Sequence, residues 1–185
     1  MQNRPLPISY LSPGQIEALV PAGMNAGTQQ LTVVRNGTRS SGVDVLVTQM
    51  GPGLFSLDGS GQGQGAILAA NTGLVAGPLH GSQEGPAERG QRILIYCTGL
   101  GAVNGDPPQD GEATPLSPSL TTTATPKVTI GGVAAPLNFS GLAPTLVGIY
   151  VVDVQVPETV GPGDDVPVML TIGGLTSNTV AISVR

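Results

Sequence analysis

The residues of this chain that could do chemistry are few. His80 is the only histidine and Cys97 is the only cysteine among 185 residues. A nucleophile needs a neighbouring base, and a zinc site needs several His or Cys ligands, so this pair cannot build either site in the usual way. The sequence also lacks a Gly-x-Ser-x-Gly elbow and a phosphate-binding loop with its lysine. We therefore expect no enzyme activity and no cofactor, with His80 in a loop and Cys97 in a buried strand.

Two acidic clusters have the residue types of a calcium site. One contains Asp106 and Asp110, and the other is Asp164-Asp165. Calcium takes six to eight oxygen ligands, which loop carboxylates and backbone carbonyls can supply. Neither cluster has the spacing of an EF-hand loop. Both a calcium loop and solvated turn residues fit, and the sequence favours the turns.

Two asparagines fit the acceptor pattern for N-linked sugar. They are Asn36, followed by Gly-Thr, and Asn138, followed by Phe-Ser. Because the pattern is short and arises by chance, these positions are candidates only. The Thr-, Ser- and Pro-rich stretch 114–126 could carry O-linked sugar, but a long solvated loop is the simpler interpretation.

The elements that carry these residues read as strands. Apolar runs alternate with Gly- and Pro-rich turn signals, and no segment has a helical stripe. Asn36-Gly37 and Gly173-Gly174 each lie between two such runs, which predicts two hairpins. Strands are predicted at 6–11, 15–20, 29–35, 43–48, 64–69, 92–97, 127–131, 136–140, 148–156, 166–172 and 179–184.

An internal repeat relates residues 5–47 to residues 136–184. Aligning Pro21 with Pro157 places Glu17 opposite Asp153, and Val43 then meets Val180 after a shift of a single residue. The second copy is preceded by two further apolar strands, whereas the first copy has no such lead-in. The expected fold class is therefore all-β, with tandem immunoglobulin-like β-sandwich modules, the first one incomplete. The predicted division is an incomplete module at 1–50, a Gly-rich connector with short strands at 51–90, and a complete module at 91–185.

Composition narrows the classes of partner that the chain could bind. Lys127 is the only lysine and the net charge is −5, so no basic stripe exists for nucleic acid. No run of 18 apolar residues occurs, so no membrane span is expected. With aromatics at 3% of the chain, a sugar-stacking platform has little support.

Several motifs resemble a known family. They are Ile95–Gly101, Val128–Val133, Phe139–Pro144 and Val154–Pro157. Their order is similar to that of uncharacterised C-terminal immunoglobulin-like domains of acidobacterial exported proteins, which are related to transcription-factor-like immunoglobulin (TIG) modules. The resemblance implies a pair of sandwiches that is secreted or at the cell surface, without catalytic activity. Family members usually have a complete first module, and this chain departs from them there.

Two functions remain open at this stage. In the first, Met1 is the native start, and the chain is an extracellular structural protein whose first module takes its missing strands from a neighbouring subunit. Such head-to-tail self-association would build a homopolymeric filament. In the second, the chain is the C-terminal surface module of a larger exported protein and binds a glycan or a protein.

Overall fold

The computed structural model describes residues 4–78 and 83–185, which form two compact units divided between Gln49 and Met50. Regular structure in these residues consists of β-strands, so the all-β prediction is confirmed. Across the same ranges, no helix has the length and apolar character that a membrane crossing requires. His80, predicted in a loop, lies outside the described residues.

The first unit contains six short strands. They pair as three antiparallel ribbons, β1 with β2, β3 with β6, and β4 with β5. Asn36 and Gly37 have φ angles of 49° and 78° between β4 and β5, as a type I′ turn requires, so the first predicted hairpin is confirmed. The strands are β1 (Ile8–Leu11), β2 (Ile16–Ala18), β3 (Gly27–Leu31), β4 (Val34–Arg35), β5 (Thr38–Arg39) and β6 (Val43–Val47).

The second unit contains ten strands in two antiparallel sheets. The predicted hairpin at Gly173-Gly174 is also confirmed, with φ angles of 57° and 81°. The strands are β7 (Gly53–Leu54), β8 (Ile67–Ala69), β9 (Arg92–Thr98), β10 (Lys127–Ile130), β11 (Val133–Ala135), β12 (Leu137–Leu142), β13 (Tyr150–Gln155), β14 (Gly163–Ile172), β15 (Leu175–Thr176) and β16 (Val180–Val184).

The strand order of the second unit can be compared with that of an immunoglobulin-type sandwich. One sheet runs β12-β13-β9, with β7 and β8 both pairing with β9. The other runs β11-β10-β14, with β15 and β16 both pairing with β14. Strands D-E-B-A and C′-C-F-G of an immunoglobulin-type sandwich lie in this order. We use these letters as position labels, with A, B, D and E in the first sheet and C, C′, F and G in the second.

The core of the second unit lies between these two sheets. In the first sheet Val152 pairs with Ile95 and Val154 pairs with Ile93, so apolar side chains face inward directly opposite each other. Burial alternates along β9 and β14, as the period of two in the sequence predicts. With few aromatic residues, the packing is aliphatic and largely β-branched, which suits a pleated surface.

Residues 51–90, predicted as a connector, belong to the second unit. Their strands β7 and β8 pair with β9. Further along the segment, Gln64 and Ala87 form parallel bridges to Ala181 and Val184 of β16. The structure therefore differs from the predicted three-part division. The physical reason is that the outer edges of β9 and β16 carry backbone groups that need partners, and this segment provides them.

The stretch 114–126 also differs from the solvated loop that its composition predicts. Leu120 is buried, and its carbonyl accepts a hydrogen bond from the Leu142 N–H at 2.9 Å. Thr122 N–H donates to the Ser140 carbonyl at 2.9 Å. The stretch passes so close to β12 that a Cβ atom added to Gly141 would clash with the Leu120 carbonyl oxygen. The stretch thus covers the outer edge of β12.

Candidate functional site: the open face of the first unit

Cys97 lies in β9 and is fully buried, so its predicted position is confirmed. Burial raises the pKa of its thiol to about 12. Since the thiolate is the reactive form, this side chain is inert near neutral pH.

The acidic candidates do not converge. Asp106, Asp164 and Asp165 are exposed, and Asp110 is half-buried. The Oδ1 of Asp164 accepts a hydrogen bond from the Ser183 hydroxyl at 2.9 Å. Over residues 4–78 and 83–185, the structure brings together no group of three His, Cys, Asp or Glu side chains that could hold a metal ion.

The two glycosylation candidates have different surroundings. Asn36 is exposed in the turn between β4 and β5. Asn138 lies in β12, and its side-chain amide donates to Asp153 Oδ1 at 3.1 Å. Sugar on Asn138 would therefore compete with an existing hydrogen bond.

An open groove lies at one end of the second unit. It has a volume of about 590 Å³ and is lined by Ser60, Gly61, Gln62, Gly63, Asn178 and Thr179. The Asn178 side chain accepts a hydrogen bond from Leu54 N at 2.7 Å and donates to the Leu54 carbonyl at 3.0 Å and the Gly61 carbonyl at 2.6 Å. Since its side chain is already committed to the protein, we assign Asn178 a structural role.

The pairings of the first unit repeat part of the second unit. The β1–β2 ribbon matches the β12–β13 ribbon. Register is interrupted between Ile8 and Tyr10 in the first unit and between Leu137 and Phe139 in the second, so each ribbon has an irregularity at the same place.

The β4–β5 and β14–β15 hairpins contain the same pair of hydrogen bonds to a serine. Val33 N–H donates to the Ser40 hydroxyl at 3.0 Å, and Leu170 N–H donates to the Ser177 hydroxyl at 3.0 Å. The return bonds, from each serine N–H to the carbonyl of the same partner, are both 2.8 Å long. The β4–β5 hairpin is therefore the counterpart of β14–β15.

The remaining ribbon explains the one-residue shift found in the sequence. β3 pairs with β6 in continuous register, whereas β14 has a register shift against β16 between Gly163 and Val166. The extra residue in the second copy lies in this irregularity. Val43 and Val180 are therefore equivalent in both sequence and pairing.

These equivalences assign the first unit four strand positions. Its β1 and β2 correspond to strands D and E, and its β3 and β6 correspond to strands F and G. In the second unit, E pairs with strand B (β9) and F pairs with strand C (β10). Among residues 4–49, β2 pairs with β1 alone and β3 pairs with β6 alone. One edge of each strand is therefore open.

The inward side of the first unit is also uncovered. Six apolar side chains are 40–61% exposed there, whereas their equivalents in the second unit are at most 1% exposed. The six side chains are Ile16, Val20, Leu31, Val33, Val43 and Val45. Together with the open edges of β2 and β3, they form what we call the open face. Their buried equivalents are Val152, Val156, Val168, Leu170, Val180 and Ile182.

A polar feature of the second unit is also incomplete in the first. Asp153 is buried, receives the Arg92 guanidinium in an ion pair and accepts a hydrogen bond from that group's Nε at 3.1 Å. This partner raises the pKa of Arg92, through the hydrogen bond first and the charge second. The equivalent Glu17 is exposed and accepts a hydrogen bond from Gln15 Nε2 at 2.7 Å. Among residues 4–49, no strand lies beside Glu17 in the position that β9 holds beside Asp153.

The arrangement of the open face suits the binding of extended polypeptide. Two strand edges offer unpaired backbone groups, and apolar side chains lie between them. No protein-family model, curated protein or solved structure matches the chain. The family resemblance and the tandem immunoglobulin-like organisation thus remain predictions.

Proposed function

We propose that this chain is a non-catalytic structural protein of the cell exterior that joins polypeptide segments by β-strand complementation at the open face. The observation that carries the proposal is the exposure of six apolar side chains whose equivalents form a core. Full burial of a Val or Leu side chain contributes about 1.5–3 kcal/mol, so covering the remaining half of each adds about 1 kcal/mol.

Strand addition also satisfies the open edges of β2 and β3. Added strands would take the places that β9 and β10 hold in the second unit. Backbone hydrogen bonds then provide affinity, while the inward side chains set the register.

The exterior location rests on different support. The sequence motifs resemble domains of exported proteins, and charged residues make up only 10% of the chain. A charge-poor surface leaves proteins free to associate.

The test measures association of the full 185-residue chain. Sedimentation velocity and negative-stain electron microscopy, over a wide concentration range, should show assembly that weakens on dilution. Leu31→Asp should weaken assembly by about 100-fold or more, equal to about 3 kcal/mol, because a buried unpaired carboxylate is costly.

Leu116→Asp is the matched control, since Leu116 is an exposed leucine of the second unit. It should leave assembly unchanged. A wild-type chain that stays monomeric at every concentration would contradict the proposal. It would then favour the alternative function, a surface module of a larger exported protein.

A further inference from the structure

We infer that the occupant of the open face is the open face of a second copy of this chain, bound about a two-fold axis. This inference rests on the proposed function and names its partner. We call the described part of the first unit, residues 4–49, the half-module. Two half-modules would form one eight-stranded sandwich, with sheets β1-β2-β2-β1 and β6-β3-β3-β6.

The first argument concerns available donors. A donor must offer one strand for the edge of β2 and another for the edge of β3. Within the described part of the second unit, β9 and β10 are already paired on both sides. β9 lies between β13 on one side and β7 and β8 on the other, and β10 lies between β14 and β11. The half-module itself carries two open strand edges, so each copy is donor and acceptor at once.

The second argument concerns strand direction. In the second unit, β9 runs antiparallel to β13 and β10 runs antiparallel to β14. Identical strands that pair antiparallel are related by a two-fold axis perpendicular to the sheet. A second β2 and a second β3 can therefore take the directions of strands B and C, and an isologous contact is the commonest kind between identical subunits.

The third argument is the register on β2. In antiparallel pairing, inward residues lie opposite inward residues, as Val152 and Ile95 do. Pairing Ile16 with its own copy meets this condition and puts Gln15 opposite Glu17. Centring the pair on Glu17 would instead place two carboxylates face to face, which is unfavourable.

The pairing of β3, and of the residues that follow it, must also place inward residues opposite inward residues. Leu31 and Val33 are equivalent to Val168 and Leu170, which pair with Ile130 and Val128 of β10. Pairing Leu31 with Val33 of the second copy keeps both inward. Thr32 then lies directly opposite Thr32 of the second copy.

The test uses disulfide formation in Thr32→Cys. Directly opposed residues in an antiparallel pair have Cα atoms about 4.5–5.5 Å apart, within the range for a disulfide. Cys97 can stay in place, because its buried thiol is inert. Under mild oxidation in a glutathione buffer, the variant should form a covalent dimer.

Thr28→Cys is the matched control, because Thr28 lies in β3 four residues before Thr32. With Thr32 on the axis, the two copies of residue 28 lie eight residues apart along the strands, about 26 Å. Since neighbouring thiols have an effective concentration in the millimolar range, the Thr32 variant should form dimer at least about tenfold faster at micromolar chain concentration.

A second pair of variants tests β2 independently. Chains with Gln15→Cys, mixed with chains with Glu17→Cys, should give a mixed disulfide dimer, which keeps the test open if Thr32→Cys folds poorly. Assembly without either disulfide would overturn the second-copy inference and leave the proposed function standing, with another donor. A monomeric chain would overturn both.

Discussion

Val43 and Val180 occupy the same position in two copies of one repeat, yet Val43 is 61% exposed and Val180 is 1% exposed. Their strands make equivalent pairings. The difference comes from strands B and C, which are present in the second unit and unmatched among residues 4–49. Alternating apolar residues thus specify a strand with an inward side, and the neighbouring strands decide whether that side becomes a core.

The two units also differ at their outer edges. In the second unit, the stretch around Leu120 covers the edge of β12, and the segment around Gln64 and Ala87 bridges to β16. Among the described residues of the first unit, β1 and β6 each have one strand partner. The second unit is therefore closed on sides where the first remains open to association.

The largest expected effect comes from placing a charge at the shared position. Val180→Asp should cost on the order of 5 kcal/mol, comparable with the whole stability of a small domain, because it buries an unpaired carboxylate. The second unit should lose its cooperative thermal unfolding, measured by calorimetry.

Val43→Asp is the matched substitution in the first unit. Its side chain can reach solvent in the dissociated chain, so unfolding of the second unit should keep its wild-type midpoint while assembly weakens. If Val43→Asp and Val180→Asp lowered the unfolding midpoint of the second unit by the same amount, the two positions would not differ in burial as proposed.

A smaller loss of stability is expected from removing the side chain of Asn178, which lines the groove of the second unit. Asn178→Ala removes three hydrogen bonds to Leu54 and Gly61, and should lower the free energy of unfolding by about 1–3 kcal/mol. Denaturant unfolding measures it. Ser41→Ala, at the equivalent position of the first unit, should change the free energy by less than about 0.5 kcal/mol. A smaller loss for Asn178→Ala than for Ser41→Ala would contradict the structural role.

The smallest effect is a pH response confined to the second unit. Hydrogen bonds from the Ser60 N–H, the Ser60 hydroxyl and the Ser56 hydroxyl lower the pKa of Asp58 from 3.8 to about 2. The folded pKa is depressed, so this contribution is fully present above pH 3.8 and is lost as the pH falls towards 2.

Amide hydrogen exchange at Ser60 and Gly61 should therefore accelerate between pH 4 and pH 2, after correction for intrinsic rates. Asp58→Asn should remove the transition. A transition of the same size in that variant would assign it to another group.

Much of the fold could be predicted from the sequence. Every predicted strand occurs, because each has several alternating or consecutive apolar residues. The strands that were missed, β5, β7, β11 and β15, are two or three residues long, too short to show a period. The predicted strand 29–35 is divided in the structure into the end of β3 and the short β4. The repeat was also readable, since Pro21 and Pro157 anchor two copies in the same order.

Long-range contacts could not be read in the same way. Gln64 and Ala87 lie in Gly-rich sequence, and only the fold reveals their bridges to β16. Leu120 lies among threonines and prolines, whose composition suggested solvent exposure. At the candidate site, the sequence predicted an incomplete first module, but the six side chains of the open face could be named only after the register was known.

The register irregularity between Gly163 and Val166 has an evolutionary consequence. An additional residue inside a strand ordinarily inverts every side chain beyond it, which would turn the core side of β14 outward. Here the surplus residue is absorbed locally, and Val166, Val168 and Leu170 still point inward. A strand of this kind can therefore gain or lose a residue at this point without a compensating change elsewhere, so length variation should concentrate there.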